Sequence, residues 1–339
     1  MTDYIPGGVR TIAFALTLAG AIGLGHAVIP LLRRLKIGQT IRADGPATHL
    51  AKSGVPTMGG VIFIVPAAVI LAALSVWDHR ILPQILVTAG MGAVGFVDDM
   101  LKVRRKSKDG LTPVQKTAGI LICALLFTVY AVLDANIGSA ILLPLTGFSR
   151  VLQIPAWVYV PFTVFVFYAA ANTVNFTDGV DGLAASVTML VMAAFTLAAA
   201  IAAAMAAGAG AGGGGAGALS AAFAGGCLGF LYFNRYPAKV IMGDCGSLAL
   251  GGAVAAAAVV MRAHWILLLF GVIYVAEGLS VVIQVSYFKR TRRRVFKMAP
   301  IHHHFELSGW SESRIVLTFC LVTFVFCCVG LWFLFGRVF

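Results

Sequence analysis

Long stretches free of charge alternate along this chain with short stretches dense in it. Uncharged apolar runs cover about 11–32, 55–76, 81–97, 117–133 and 155–174. A helix needs ~20 apolar residues to cross a bilayer, with ~17 as the lower limit. Each run therefore predicts a spanning helix. The next uncharged run, 182–234, is long enough for two, and its middle, 207–217, is almost all Gly and Ala, which predicts the turn between them. Runs at about 246–261, 264–288 and 315–336 complete a set of ten.

Composition sharpens this picture. Of 339 residues 60% are hydrophobic and 11% are charged. A soluble domain carries about 25% charged residues, so the chain reads as an all-α, polytopic membrane protein in one transmembrane domain, 1–339. Cys123, Cys227, Cys245, Cys320, Cys327 and Cys328 lie in or beside apolar runs without a CxxC pair, and read as small buried residues rather than disulfides or zinc ligands. Met1-Thr2-Asp3-Tyr4 lacks the basic start and cleavage site of a signal peptide, so the first span is expected to stay in the mature protein.

Ten spans place both termini on one side. Of the 25 Lys and Arg, 20 then fall in loops on the other side, including Lys52, Lys102, Lys116, Arg235, Lys239 and the run from Lys289 to Lys297. The positive-inside rule makes that side cytoplasmic and both termini extracytoplasmic. The net charge of +12 has the same explanation, and no nucleic-acid motif is present. Cytoplasmic loops at about 33–54, 98–116, 175–181, 234–245 and 289–314 carry most of the chemically interesting residues. Span nine is irregular: Glu277 sits inside it beside Gly278. The helix could break there to bring the carboxylate toward the surface, or Glu277 could bond to neighbouring helices.

Asp98-Asp99 closes span three. Adjacent carboxylates are costly to desolvate without a cation, a shared proton or water, and at a helix C-terminus they also oppose the macrodipole. Lys102, Arg104 and Arg105 could offset that charge. Asn172, Asn175, Asp178 and Asp181 form the densest polar cluster between two spans. Asp178 and Asp181, three apart, would align on one helical turn. Asn234 to Ser247 holds Asp244 between glycines at the mouth of span eight, where it could serve as a one-oxygen metal ligand or as an N-cap. His302-His303-His304 follows the basic run; with no cysteine nearby, imidazole donors to phosphate or sugar fit better than zinc. Together these groups suit magnesium-assisted phosphoryl transfer at a membrane face, where the apolar spans can house a lipid co-substrate.

Four stretches carry a resemblance: Gly95-Phe-Val-Asp-Asp with Leu101-Lys102, Asn175-Phe-Thr-Asp-Gly-Val-Asp-Gly-Leu-Ala184, Met242-Gly-Asp-Cys-Gly-Ser-Leu-Ala-Leu-Gly251 and Met298-Ala-Pro-Ile-His-His-His-Phe-Glu-Leu307. They resemble the phospho-N-acetylmuramoyl-pentapeptide transferases, a branch of the polyprenyl-phosphate N-acetylhexosamine-1-phosphate transferases. The aspartate motifs are shared across the wider group, and the triple histidine points to this branch. The resemblance implies transfer of the phosphosugar from UDP-MurNAc-pentapeptide to undecaprenyl phosphate, giving lipid I and UMP. It places the reaction at the inner face of the bacterial plasma membrane, with Mg2+, in a homodimer whose ninth span is broken. By motif position Asp244 would hold Mg2+, and Asp98 and Asp99 would hold and activate the lipid phosphate, with one carboxylate acting as base or as covalent nucleophile; Asp98 is taken as the base. Asn172, Asn175, Asp178, Asp181 and Asn234 would line the nucleotide and diphosphate site, bordered by Lys52 and Thr57. His302, His303 and His304 would contact the substrate's phosphate or sugar. Where the family often has Phe beside the uracil, this chain has Ile241.

Two other readings compete. A relative transferring N-acetylglucosamine phosphate would share the aspartates, but the histidine stretch argues against it. A transporter would suit Glu277, but transporter sites usually lie near the midplane with internal repeats, whereas here the polar groups gather at one face.

Overall fold

The structure is a computed structural model that describes residues 7–35, 54–105, 107, 109–146, 150–206 and 214–335. Among these residues it is almost wholly helical. Nine helices are long and apolar enough to cross a membrane: α1 (Gly7–Arg34), α3 (Ile81–Arg105), α4 (Pro113–Leu133), α5 (Ala156–Thr177), α6 (Leu183–Ala206), α7 (Gly214–Asn234), α8 (Gly243–Val260), α10 (Val272–Thr291) and α12 (Glu312–Phe335). A shorter apolar helix, α2 (Val61–Leu74), stands where the second span was expected. Every expected span thus has a helix. The chain is a multi-pass membrane protein.

α2 is shorter than its uncharged run because Pro56 and the Gly59-Gly60 pair keep 54–60 out of the helix. That segment lies extended beside 240–242 instead: the Ile241 amide donates to the Pro56 carbonyl at 2.8 Å and the Gly59 amide to the Ile241 carbonyl at 2.9 Å. α3 errs in the other direction. It runs past the end of its apolar run to Arg105, so Asp98 and Asp99 lie within a helix rather than in a loop. The start of α4 is written in the sequence: Thr112 and Gln115 form a reciprocal capping box with Pro113 in the first turn.

α8 is the axis of the bundle. Every residue from Cys245 to Val260 is buried. Its Gly- and Ala-rich sequence makes that possible, because small residues let helices approach closely where lipid supplies no hydrophobic drive between them. Gly251 lies against the Ala171 backbone of α5, and Gly252 against Met91 of α3. On α3, Gly95 faces the backbone of Asp244 so closely that a methyl group has no room. That contact brings the aspartates of α3 onto the first turn of α8.

Span nine is interrupted, but at Gly271 and not at Glu277. A 3-10 turn, His264–Ile266, leads into the short α9 (Leu267–Phe270); the chain bends at Gly271 and α10 then runs unbroken past Glu277 and Gly278. A further short helix, α11 (Ile301–Glu306), carries the histidines. At the opposite end of the bundle, the connection before α5 forms a small antiparallel hairpin that the apolar pattern did not announce, β1 (Ala140–Leu142) and β2 (Val151–Gln153), with Ile141 opposite Leu152.

Candidate active site

The close approach of α3 and α8 gathers three carboxylates. Oxygens of Asp98, Asp99 and Asp244 lie within 4.8 Å of one another. Asp98 and Asp99 are buried, and Asp244 is half-buried. Asp98 Oδ1 accepts the Leu111 amide at 2.7 Å, and Asp99 Oδ2 accepts the Cys245 amide at 3.1 Å. Gly243, at φ +75, makes the turn into α8; a Cβ there would sit 2.5 Å from Asp99 Oδ2 and 3.0 Å from Thr57 Oγ1, so only glycine fits. Asp244 lies in the first turn of α8, where its charge suits the helix dipole. Met242 takes the N-cap position, so Asp244 does not cap the helix.

Two lysines neutralise most of this charge. Lys102 lies one turn beyond the aspartate pair on α3. Its Nζ is 2.6 Å from Asp98 Oδ2, 2.7 Å from Asp244 Oδ2 and 3.7 Å from Asp99 Oδ1. Lys116, in the first turn of α4, reaches Asp244 Oδ2 at 2.8 Å and Asp98 Oδ2 at 3.9 Å. Sequence reasoning counted Lys116 only as a cytoplasmic charge. Its capping box placed it at a helix start, but nothing in the sequence aims that turn at α8.

Asn175 completes the cluster. Its amide donates to Asp244 Oδ1 at 2.7 Å and to Ser247 Oγ at 2.8 Å. Ser247 is a second residue that the sequence quoted without assigning it a role. Asp178 follows α5 as its C-cap. Burial, together with repulsion from Asp244, Asp99 and Asp181, holds its carboxyl well above the usual carboxylate range, although the Gly243 backbone bond pulls the other way. Asp178 and Asp181 do not share a helical turn, because α5 ends at Thr177 and Gly182, at φ +77, turns the chain into α6.

The other expected site residues hold the surrounding loops. Asp181 accepts the Ala238 amide at 2.9 Å. Asn234 accepts the Gly182 amide at 3.1 Å and donates to the Val240 carbonyl at 2.9 Å. Together they clamp the α5–α6 turn to the α7–α8 loop. Asn172 donates to the Tyr168 carbonyl at 2.8 Å. Thr57 is buried beside Gly243. Ile241, half-buried, is fixed by its backbone pairing with the 56–59 segment. Lys52 lies outside the described residues.

The three histidines part company. His302 is fully buried, with Nδ1 3.0 Å from Glu277 Oε1, and its imidazole packs on Gly179 between the two loop aspartates. Glu277 therefore bonds to a neighbouring element inside the protein. His303 Nδ1 lies 2.6 Å from Glu306 Oε2, and His304 Nδ1 accepts the Lys297 amide at 3.1 Å. Ligand atoms of His302, His303 and Glu306 also fall within 4.8 Å of one another, a second group of metal-ligand types.

The family model for glycosyl transferase family 4 matches residues 81–262, a stretch that holds all three clustered aspartates. A phospho-N-acetylmuramoyl-pentapeptide-transferase of Acetivibrio thermocellus is 51% identical over 94% of this chain and 93% of its own length. Its namesakes in Pelotomaculum thermopropionicum and Desulforamulus reducens are 48% and 46% identical, each over 94% of this chain and over 96% and 93% of their own lengths. The chain belongs to the phospho-N-acetylmuramoyl-pentapeptide-transferase family. It is a membrane-embedded transferase.

For a phospho-N-acetylmuramoyl-pentapeptide transferase the donor set of the main cluster is informative. Its three carboxylates are hard oxygen donors, which suit Mg2+ rather than a thiophilic metal. Cys245 is in the same turn, but it offers the cluster its backbone amide. The residues present therefore fit a magnesium site. The surrounding ammonium groups suit an anionic, phosphate-bearing substrate.

Proposed function

We propose that this chain transfers phospho-MurNAc-pentapeptide from UDP-MurNAc-pentapeptide to undecaprenyl phosphate, releasing UMP and forming lipid I at the cytoplasmic face of the plasma membrane. The observation that carries the reading is the convergence of Asp98, Asp99 and Asp244, from two helices far apart in sequence, around Lys102 and Lys116. The names of the relatives supply the sugar. The loop charge supplies the sidedness.

In this reading an oxygen of the lipid phosphate attacks the β-phosphorus of the UDP-sugar. The bond from that phosphorus to the bridging oxygen breaks, and UMP leaves with the electron pair. Asp98 takes any proton remaining on the lipid phosphate through Oδ2, while the Leu111 amide fixes its other oxygen. Asp99, held by the Cys245 amide, keeps the pair in register. Mg2+, held by Asp244 with Asp98 and Asp99 close by, would supply positive charge to stabilise the diphosphate and the departing UMP. Asn175 fixes the rotamer of Asp244. Asp178 borders the cluster at the C-cap of α5. His302, seated on Gly179, reaches the same loop from the opposite side.

The test is UMP release by purified protein from UDP-MurNAc-pentapeptide, with and without undecaprenyl phosphate and with and without EDTA. Release that needs both the lipid and a divalent cation supports the reading. Equal turnover of UDP-N-acetylglucosamine would reassign the sugar, and failure to release UMP under any condition would overturn it. For sidedness, Arg292→Cys in a cysteine-free background should label only from the cytoplasm.

A further inference from the structure

The geometry points to Lys116 as an exchangeable group: it holds the place of a divalent cation on Asp244 and passes to a substrate phosphate oxygen when the cation arrives. This rests on the magnesium reading above. A carboxylate offers about four lone-pair positions. On Asp244, Oδ2 accepts from both Lys102 at 2.7 Å and Lys116 at 2.8 Å, and Oδ1 accepts from Asn175 at 2.7 Å. A cation that engages Oδ2, the oxygen turned toward the α3 aspartates, must displace one ammonium.

The two lysines are not held alike. Lys102 follows Asp98 and Asp99 by one turn of the same helix and keeps Asp98 at 2.6 Å and Asp99 at 3.7 Å if Asp244 is lost. Lys116 has one carboxylate oxygen within hydrogen-bonding distance, that of Asp244; Asp98 lies at 3.9 Å. The Lys116 side chain is the more enclosed of the two, 21% exposed against 33% for Lys102, so the difference lies in the number of anchors and not in room. Lys116 therefore leaves, and Lys102 stays. Charge gives it a destination. Three carboxylates and two ammonium groups sum to −1, and a divalent cation turns the cluster to +1. That +1 is the freed ammonium itself, because the three carboxylates, Lys102 and a divalent cation sum to zero, so no net charge holds Lys116 until an anion joins it. Phosphate oxygens of the nucleotide and of the polyprenyl phosphate both have the required chemistry.

The experiment is amine footprinting of the full-length protein in detergent by reductive methylation, read by mass spectrometry. Mn2+ serves as the probe, and its binding is followed independently by loss of the free-ion electron paramagnetic resonance signal. Mn2+ should speed methylation of Lys116 by about threefold to fivefold, the worth of one part-exposed ion pair. Lys102, as close to Asp244 Oδ2 as Lys116 is, should not change, which separates exchange from a general field effect. UDP and undecaprenyl phosphate are then added in separate arms, and the one that restores protection names the phosphate. Bound Mn2+ with no change at Lys116, or with equal acceleration at Lys102, overturns the exchange. Failure of both phosphates to restore protection overturns the destination. Absence of Mn2+ binding overturns the magnesium reading itself, and with it this one. As a second arm, Lys116→Gln should bind Mn2+ more tightly and the protecting phosphate more weakly, and unchanged affinities would count against the proposal.

Discussion

The two ends of the bundle treat their carboxylates differently. At the end away from the site, Asp78 and Arg80 are both buried and grip each other two residues apart, at 2.7 and 2.9 Å, with the Arg80 amide closing the loop. Asp134, the C-cap of α4, accepts the Asn136 and Ile137 amides, the Tyr130 hydroxyl and a bond with His79 at 2.8 Å. Those acids are satisfied mostly by neighbours in sequence, and each serves the local turn. At the site end, three carboxylates from α3 and α8 crowd together and share two lysines. Local structure does not call for that crowding; the proposed cation and phosphorylated ligand would. An acid saturated by its own turn reads as architecture, and acids forced together from distant helices read as chemistry.

The comparison can be broken first at Asp244. Asp244→Asn should lower UMP release by about a thousandfold, the upper range for removing one electrostatic group from an active site, while the thermal midpoint in detergent holds. Turnover near wild type would reduce the site-end cluster to architecture. Asp78→Asn tests the other end. It removes one carboxylate charge from the buried Arg80, at a cost of up to about 3–5 kcal/mol. The thermal midpoint should fall, while turnover per folded molecule stays the same. A change in chemistry there would erase the contrast between the ends.

Gly95→Ala lies between the two cases. The added methyl meets the backbone of Asp244, and overpacking of this kind costs about 1–3 kcal/mol. Stability and turnover should fall together, because the same contact packs α3 on α8 and gathers the acids.

The smallest effect is in acid. Burial raises the Asp134 carboxyl, but the bonds from His79, the Asn136 amide and Tyr130 outweigh it and hold it below the usual range. A depressed carboxylate stabilises the fold above its unfolded value, ~3.9, and that stability is lost as pH falls through the folded value. Asp134→Asn should therefore flatten the decline in thermal midpoint below about pH 4, with no effect near neutrality beyond the lost bonds. A mutant that declines as steeply as wild type would remove Asp134 from this account.

Membrane class, a helix for each apolar run and the gathering of candidate acids near the ends of those runs could be read from the chain alone, because spanning length and charge exclusion are properties of local composition. Other features depended on what each segment meets. The run at 55–76 promised a full span, but its first residues pair with 240–242 instead. The break in span nine falls at Gly271 and not at Glu277, whose Oε1 pairs with His302 from α11 inside the bundle. Asp181 and Asn234 resembled ligands in sequence, and in the fold they clamp two loops. Lys116 and Ser247 carried no signal of their own. Their roles follow from the glycine-lined approach of α3 to α8 and the docking of α4 beside them, contacts between residues far apart in the chain that no local pattern encodes.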